Sequence, residues 1–186
     1  MTRLLSISLA LACLATPALA QQKLDAAKSE IVFVSKQMGV PVEGRFKKFD
    51  ANVVFDPAKP QAAQIAFKID TGSASFGSPE TDAEVPKAAW FNTAKFPQAV
   101  FQSTGVKALG GGKFEAAGKL TIKGATQDVT VPFTLAQTGA LSTATGAFAL
   151  KRLAFKIGEG EWADTSMVAD EVQVKFKLLL TNANPR

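Results

Sequence analysis

The chain has 186 residues, of which 47% are apolar and 20% charged, so it is long enough to bury one core and too apolar to remain unfolded. It carries no histidine, no tyrosine and a single cysteine, which removes imidazole chemistry, the commonest metal ligand and any intramolecular disulfide. A net charge of +5 is spread along the sequence without a basic run or interleaved stacking aromatics, and nucleic acid is therefore not an expected partner.

Met1-Thr2-Arg3 supplies one positive charge ahead of an apolar run from Leu4 to Leu14 that is too short to cross a bilayer as a helix. Pro17 and the small residues of Ala18-Leu19-Ala20 then mark a cleavage point. Residues 1–20 read as an export signal, and the mature domain is expected to span 21–186. Cys13 as a lipid acceptor is the competing reading, but Ala10-Leu11-Ala12 places leucine one position too late for it. Loss of Cys13 with the signal leaves the mature chain without a thiol.

Period-two alternation dominates after residue 29. Ile31 and Phe33 share one face of a first strand, and Val40 and Val42 follow in a second. Ala51, Val53 and Phe55 alternate in a third that Asp56-Pro57 stops, and Ile65, Phe67 and Ile69 form a fourth. Between Gly77 and Phe96 the pattern breaks. Ser78 suits an N-cap, Pro79 a first helical position, and Glu80 and Asp82 an N-terminal turn, so a short irregular helix is expected there. Trp90-Phe91 should then plug apolar surface onto the sheet or over its open end.

Alternation resumes at Ala99 and Phe101, breaks at Gly110-Gly111-Gly112 and returns through Phe114, Ala116, Gly118, Leu120 and Ile122. A hairpin at Gly124 leads to Val129, Val131, Phe133 and Leu135. After Gly139 come Phe148 and Leu150, and the last strand carries Val172, Val174, Phe176, Leu178 and Leu180. About eight antiparallel strands with one helix and no βαβ rhythm predict an all-β closed barrel. Such a barrel is either filled by its own side chains or wide enough for one slender ligand.

A search for catalysis finds no centre. Ser73-Ala74-Ser75 and Ser103-Thr104 lack an imidazole or any base placed beside them. Gly110-Gly111-Gly112-Lys113 lies between strands rather than before a helix, which suits a hairpin turn better than a phosphate loop. Asp164, Asp170 and Glu171 lack calcium-loop spacing and read as a solvated acidic turn. Neither an enzymatic activity, a metal nor a cofactor is expected.

Arg152 stands out because it lies two residues beyond Leu150, on the face that Phe148 and Leu150 turn to the apolar side. A buried cation needs a partner, either a structural carboxylate such as Asp70, Asp82 or Glu84, or a ligand group. The 14 phenylalanines fit either a packed core or the wall of an apolar cavity.

Met38-Gly39-Val40-Pro41-Val42-Glu43-Gly44-Arg45-Phe46, Phe49 to Pro57, and Trp90-Phe91-Asn92 with Pro97 and Phe101 together resemble the YceI-like family. Gly118-Lys119-Leu120-Thr121-Ile122-Lys123-Gly124, and Arg152 with Phe155 and Gly158, resemble its second half in the same order. The resemblance implies a lipocalin-like extended barrel in the bacterial periplasm whose long apolar pocket holds a polyisoprenoid or other amphiphilic lipid. Gly158 to Asp164 is similar to the subgroup found beside or fused to b-type membrane cytochromes, which points to an isoprenoid quinone. Where many relatives carry histidine, this chain has Lys28-Ser29 and Lys36-Gln37.

The resulting expectation is a carrier whose cavity is walled by Phe33, Phe67, Phe101, Phe133, Phe148 and Phe176, with Trp90 also among the ligand-binding residues and Arg152 meeting the polar head. A second reading makes the chain a docking partner of a b-type membrane cytochrome or other redox protein, with Trp162 and its acidic neighbours as the docking loop.

Overall fold

Alternating apolar residues demand a pleated partner on each side, and the computed structural model, which describes residues 21–182, satisfies that demand with antiparallel neighbours throughout. In chain order the elements are β1 (Gln21–Leu24), β2 (Glu30–Gln37), β3 (Val40–Phe46), β4 (Phe49–Val54), β5 (Gln64–Asp70), β6 (Ala74–Ser75), the helix α1 (Pro79–Glu84), β7 (Gln98–Gly110), β8 (Lys113–Ile122), β9 (Ala125–Thr138), β10 (Leu141–Lys151) and β11 (Glu171–Asn182). The export signal expected at 1–20, with Cys13, lies outside the described residues.

A closed barrel of eight staves results, because β1 and β2 act as one interrupted strand and β3 and β4 as another. The first composite pairs with the second through Val32↔Arg45 in one half and Gln22↔Val53 in the other. Closure comes from β11, which pairs with β10 on one side and with both β2 and β1 on the other. The sequence pattern begins only after residue 29 and does not reveal β1. Its role is nevertheless central, since it joins β11 to β4 and leaves no free edge there.

Turn chemistry follows the glycines. Met38-Gly39 and Lys123-Gly124 each place two consecutive residues at positive φ, as a tight hairpin requires. Gly110, Gly111 and Gly112 all have positive φ, so this run is a turn between β7 and β8. The helix is shorter than the interruption that holds it. Ser78 occupies the N-cap position, but its hydroxyl makes no capping bond. Asp82 anchors α1 instead: its carboxylate accepts from the Ser75 hydroxyl (2.7 Å) and the Phe76 N–H (2.6 Å). Val40, which alternates with Val42 in β3, is 63% exposed, at the hairpin end of the strand.

Three glycines decide what the barrel contains. Phe33 lies directly opposite Gly44, and Phe176 directly opposite Gly146. Phe101 lies diagonally across from Gly118. At each glycine a Cβ would collide with the facing ring: it would stand 2.7 Å from Phe33 Cε2, 2.9 Å from Phe176 Cε1 and 2.6 Å from Phe101 Cε2. The rings therefore lie back over bare backbone instead of projecting to the barrel axis. Gly146→Ala and Gly44→Ala should each cost about 1–3 kcal/mol through overpacking. Urea unfolding measures this, and a change within experimental error would show that the rings are not held against the wall.

Candidate functional site

The barrel lumen is hollow and has two lobes. A larger one of about 420 Å³ lies toward α1, and a smaller one of about 120 Å³, the deep lobe, lies along the barrel away from α1. Ile31, Ile69, Leu120, Phe148 and Val174 border both and form a waist between them. Every side chain lining the deep lobe is a hydrocarbon, among them Phe67, Phe101, Phe133 and Phe176. The upper lobe is walled by Phe33, Trp90, Phe148 and Arg152 among others, so all eight residues singled out from the sequence border the lumen. Ser35, Gln37, Glu80, Thr81 and Glu84 add polar groups to the upper lobe alone.

A cap closes over the upper lobe, built from the segment after α1 and the segment between β10 and β11. Phe33 packs on Phe46 (5.1 Å between ring centroids) and edge-on against Phe76 (5.3 Å), and Phe46 in turn meets Phe91 at 6.1 Å. Trp90 and Trp162 meet at 5.5 Å. Trp90 thus borders the upper lobe, packed against Trp162. Trp162, the docking residue of the second reading, is half-buried against Trp90 and lines the upper lobe. The Trp90 indole Nε1–H is buried and has no acceptor among the described residues.

Arg152 is 2% exposed, but the expected carboxylate pairing does not occur. Strand β10 ends at Lys151, and Arg152 opens a 3-10 turn through Phe155. From that corner Nε donates to Ala169 O (3.0 Å), Nη1 to Ile157 O (2.9 Å) and Gly158 O (3.0 Å), and Nη2 to Trp162 O (2.7 Å) and Val168 O (2.6 Å). All five donors of the guanidinium are thus satisfied by backbone carbonyls. Burial lowers the guanidinium's pKa, and the charge of Asp170 opposes that shift.

The three carboxylates considered as partners have other work. Asp70 accepts from Gly72 N–H at 2.9 Å, Asp82 holds Ser75 and Phe76, and Glu84 pairs with Lys87. Gly158 completes the corner, with φ +75° and no room for a Cβ between the guanidinium and Trp90 Cζ3. Two of the acidic residues after it are structural as well. Asp164 accepts from the Ser166 N–H and hydroxyl, and Asp170 from Leu153 N–H.

A second buried cation escaped the sequence reading. Lys123, 6% exposed at the tip of the β8–β9 hairpin, donates to Ala88 O (2.7 Å), Lys156 O (2.7 Å) and Glu159 Oε2 (2.8 Å). It ties both halves of the cap to the barrel. A lysine in a hairpin turn ordinarily faces solvent, and the available signal was only its place before Gly124.

Two predictions follow from this geometry. Arg152→Met leaves buried carbonyls unpaired and should cost at least about 3 kcal/mol. Thermal melting should fall by about 6–12 °C, with Arg152→Lys recovering only part because lysine brings three donors. An unchanged melting point would refute the staple. The hydrogen bond from Lys123, aided by the charges of Lys123 and Lys156, holds the Glu159 carboxyl below its ordinary range. Its contribution is therefore complete at neutral pH and disappears as pH falls through the depressed pKa. Glu159→Gln should melt below the wild type at pH 7, and the difference should shrink as acid titrates the Glu159 carboxyl through its depressed pKa. Parallel curves across that range would contradict the assignment.

Comparison with known proteins agrees with the geometry. The YceI-like domain model matches residues 22–180. The chain is 38% identical over 88 residues to a UPF0312 protein of Azotobacter vinelandii and 40% identical over 88 residues to protein YceI of Salmonella arizonae, covering 47% of this chain and 46% of each relative. It thus spans about half the length of the curated relatives it matches. The crystal structure of Burkholderia cenocepacia BcnA superposes with a TM-score of 0.82 at 49% identity, over 84% of this chain and 98% of that one. A polyisoprenoid binding domain from Saccharophagus degradans shares the fold at 16% identity, with a TM-score of 0.70 over 89% of this chain and 99% of that one. A closed eight-stave barrel with one short helix, matched by the family model over nearly all its described length, places this chain in the YceI-like family.

Proposed function

We propose that this protein is a periplasmic carrier that takes one isoprenoid tail into its barrel and leaves the head group in the upper lobe. The observation that carries the reading is the deep lobe, a preformed space lined only by hydrocarbon side chains. Such a space offers a tail shelter from water and offers water no hydrogen bonds. Sheathing ten methylene equivalents gains about 8 kcal/mol before the costs of association. That fits binding tight enough to carry a lipid and loose enough to release it.

The gradient of polarity sets the orientation. A head group fits where Ser35, Gln37 and Thr81 stand, and the unpaired indole N–H of Trp90 suits an oxygen acceptor in the same lobe. Arg152 forms part of the wall there. The polyisoprenoid binding domain named above shares this fold, which supports a prenyl tail as the occupant. The apolar run of Leu4–Leu14 with Ala18-Leu19-Ala20 supports export as the route. Within this reading the chain sequesters and delivers a lipid and performs no chemistry on it.

The test is uptake by delipidated protein, followed by native mass spectrometry with an isoprenoid quinone bearing a short prenyl tail. One lipid per chain is expected. Ala144→Phe, which fills the deep lobe from its wall, should reduce affinity for the prenyl quinone at least about tenfold, the effect of losing two or so buried methylenes. Absence of uptake by the wild type would overturn the carrier reading.

A further inference from the structure

We propose that the mouth of the cavity selects uncharged head groups, so that a prenyl alcohol or quinone is carried in preference to a prenyl phosphate. The inference rests on the carrier reading and adds the head-group class to it. A phosphate taken from water into a low-dielectric site needs cationic or multiple N–H donors to replace its hydration. Among the described residues lining the upper lobe, Arg152 is the one cation. Its five N–H groups all point to carbonyls of Ile157, Gly158, Trp162, Val168 and Ala169, which leaves none for a ligand.

The remaining charges at this lobe are negative. Glu80 and Glu84 border it from α1. Glu84 meets Lys87, which does not line the lobe, and Glu80 stands exposed without a salt bridge among the described residues. An anionic head would therefore meet like charge on the helix side and a donor-depleted guanidinium on the other. A neutral carbonyl or hydroxyl meets neither penalty, and the amide of Gln37 and hydroxyls of Ser35 and Thr81 are sufficient for it.

Geranylgeraniol and geranylgeranyl phosphate share one tail and differ only in head charge. Both tryptophans of the chain border the upper lobe, so their emission reports occupancy directly. The alcohol should bind, with the phosphate about tenfold weaker in low salt, a gap that narrows as salt screens the rim. The double variant Glu80→Gln/Glu84→Gln should close most of the gap by strengthening phosphate binding while leaving the alcohol unchanged. Phosphate binding as tight as the alcohol's, or a gap insensitive to both salt and the variant, would overturn the selection while leaving the carrier reading standing. Binding of neither lipid would overturn the carrier reading and the selection with it.

Discussion

The lumen exists because bulky aromatic side chains are laid against glycines. Fourteen phenylalanines can either fill an eight-stranded barrel or line a hollow one. Here Phe33, Phe101 and Phe176 lie back over Gly44, Gly118 and Gly146, and each ring thickens the wall where the neighbouring strand has no side chain. The space those rings would have occupied is the space a tail can enter. Stability and hollowness thus come from the same pairs, since the ring still buries its area and still excludes water from the sheet.

Opening a barrel to a ligand exposes its upper end, and this end is roofed by irregular chain whose carbonyls would otherwise lack partners. Two buried cations solve that problem. Arg152 gathers carbonyls from three separate stretches of the segment between β10 and β11, and Lys123 reaches from the β8–β9 hairpin to both halves of the roof. Among the described residues Arg152 touches no carboxylate, whereas Lys123 is ion-paired with the half-exposed Glu159. Because their donors face inward to the protein, these cations rigidify the entrance without offering an anion a free N–H. Rigidity of the roof and the lack of free guanidinium donors on its underside are two results of one arrangement.

Much of this was legible from residue order. Strands such as Ile65–Ile69 and Phe114–Ile122 announce their inward faces by alternation, and the six phenylalanines named as wall residues do border the lumen, while Phe114 packs against Phe55 and Phe133. Arg152 was legible as a buried cation for the same reason, although the alternation stops one residue earlier and a 3-10 turn carries the side chain on. Its partners were not legible, because they are carbonyls brought round by a loop, and any residue type supplies a carbonyl. Lys123 was hidden by the convention that hairpin lysines are solvated, and Trp162 by the acidic residues around it. The family's motifs gain physical content in retrospect: Gly44 seats Phe33, Gly118 seats Phe101, and Gly158 seats the Arg152 guanidinium.

The central claim is that the tail passes the waist and occupies the deep lobe. The most direct measurement is a set of NMR nuclear Overhauser contacts between the prenyl methyls of a bound isoprenoid quinone and the protein's methyl groups. The account predicts contacts to Ala144, Leu135 and Leu180, which wall the deep lobe. Contacts confined to Ile157 and Val168 in the upper lobe, with the deep methyls unperturbed on binding, would contradict it.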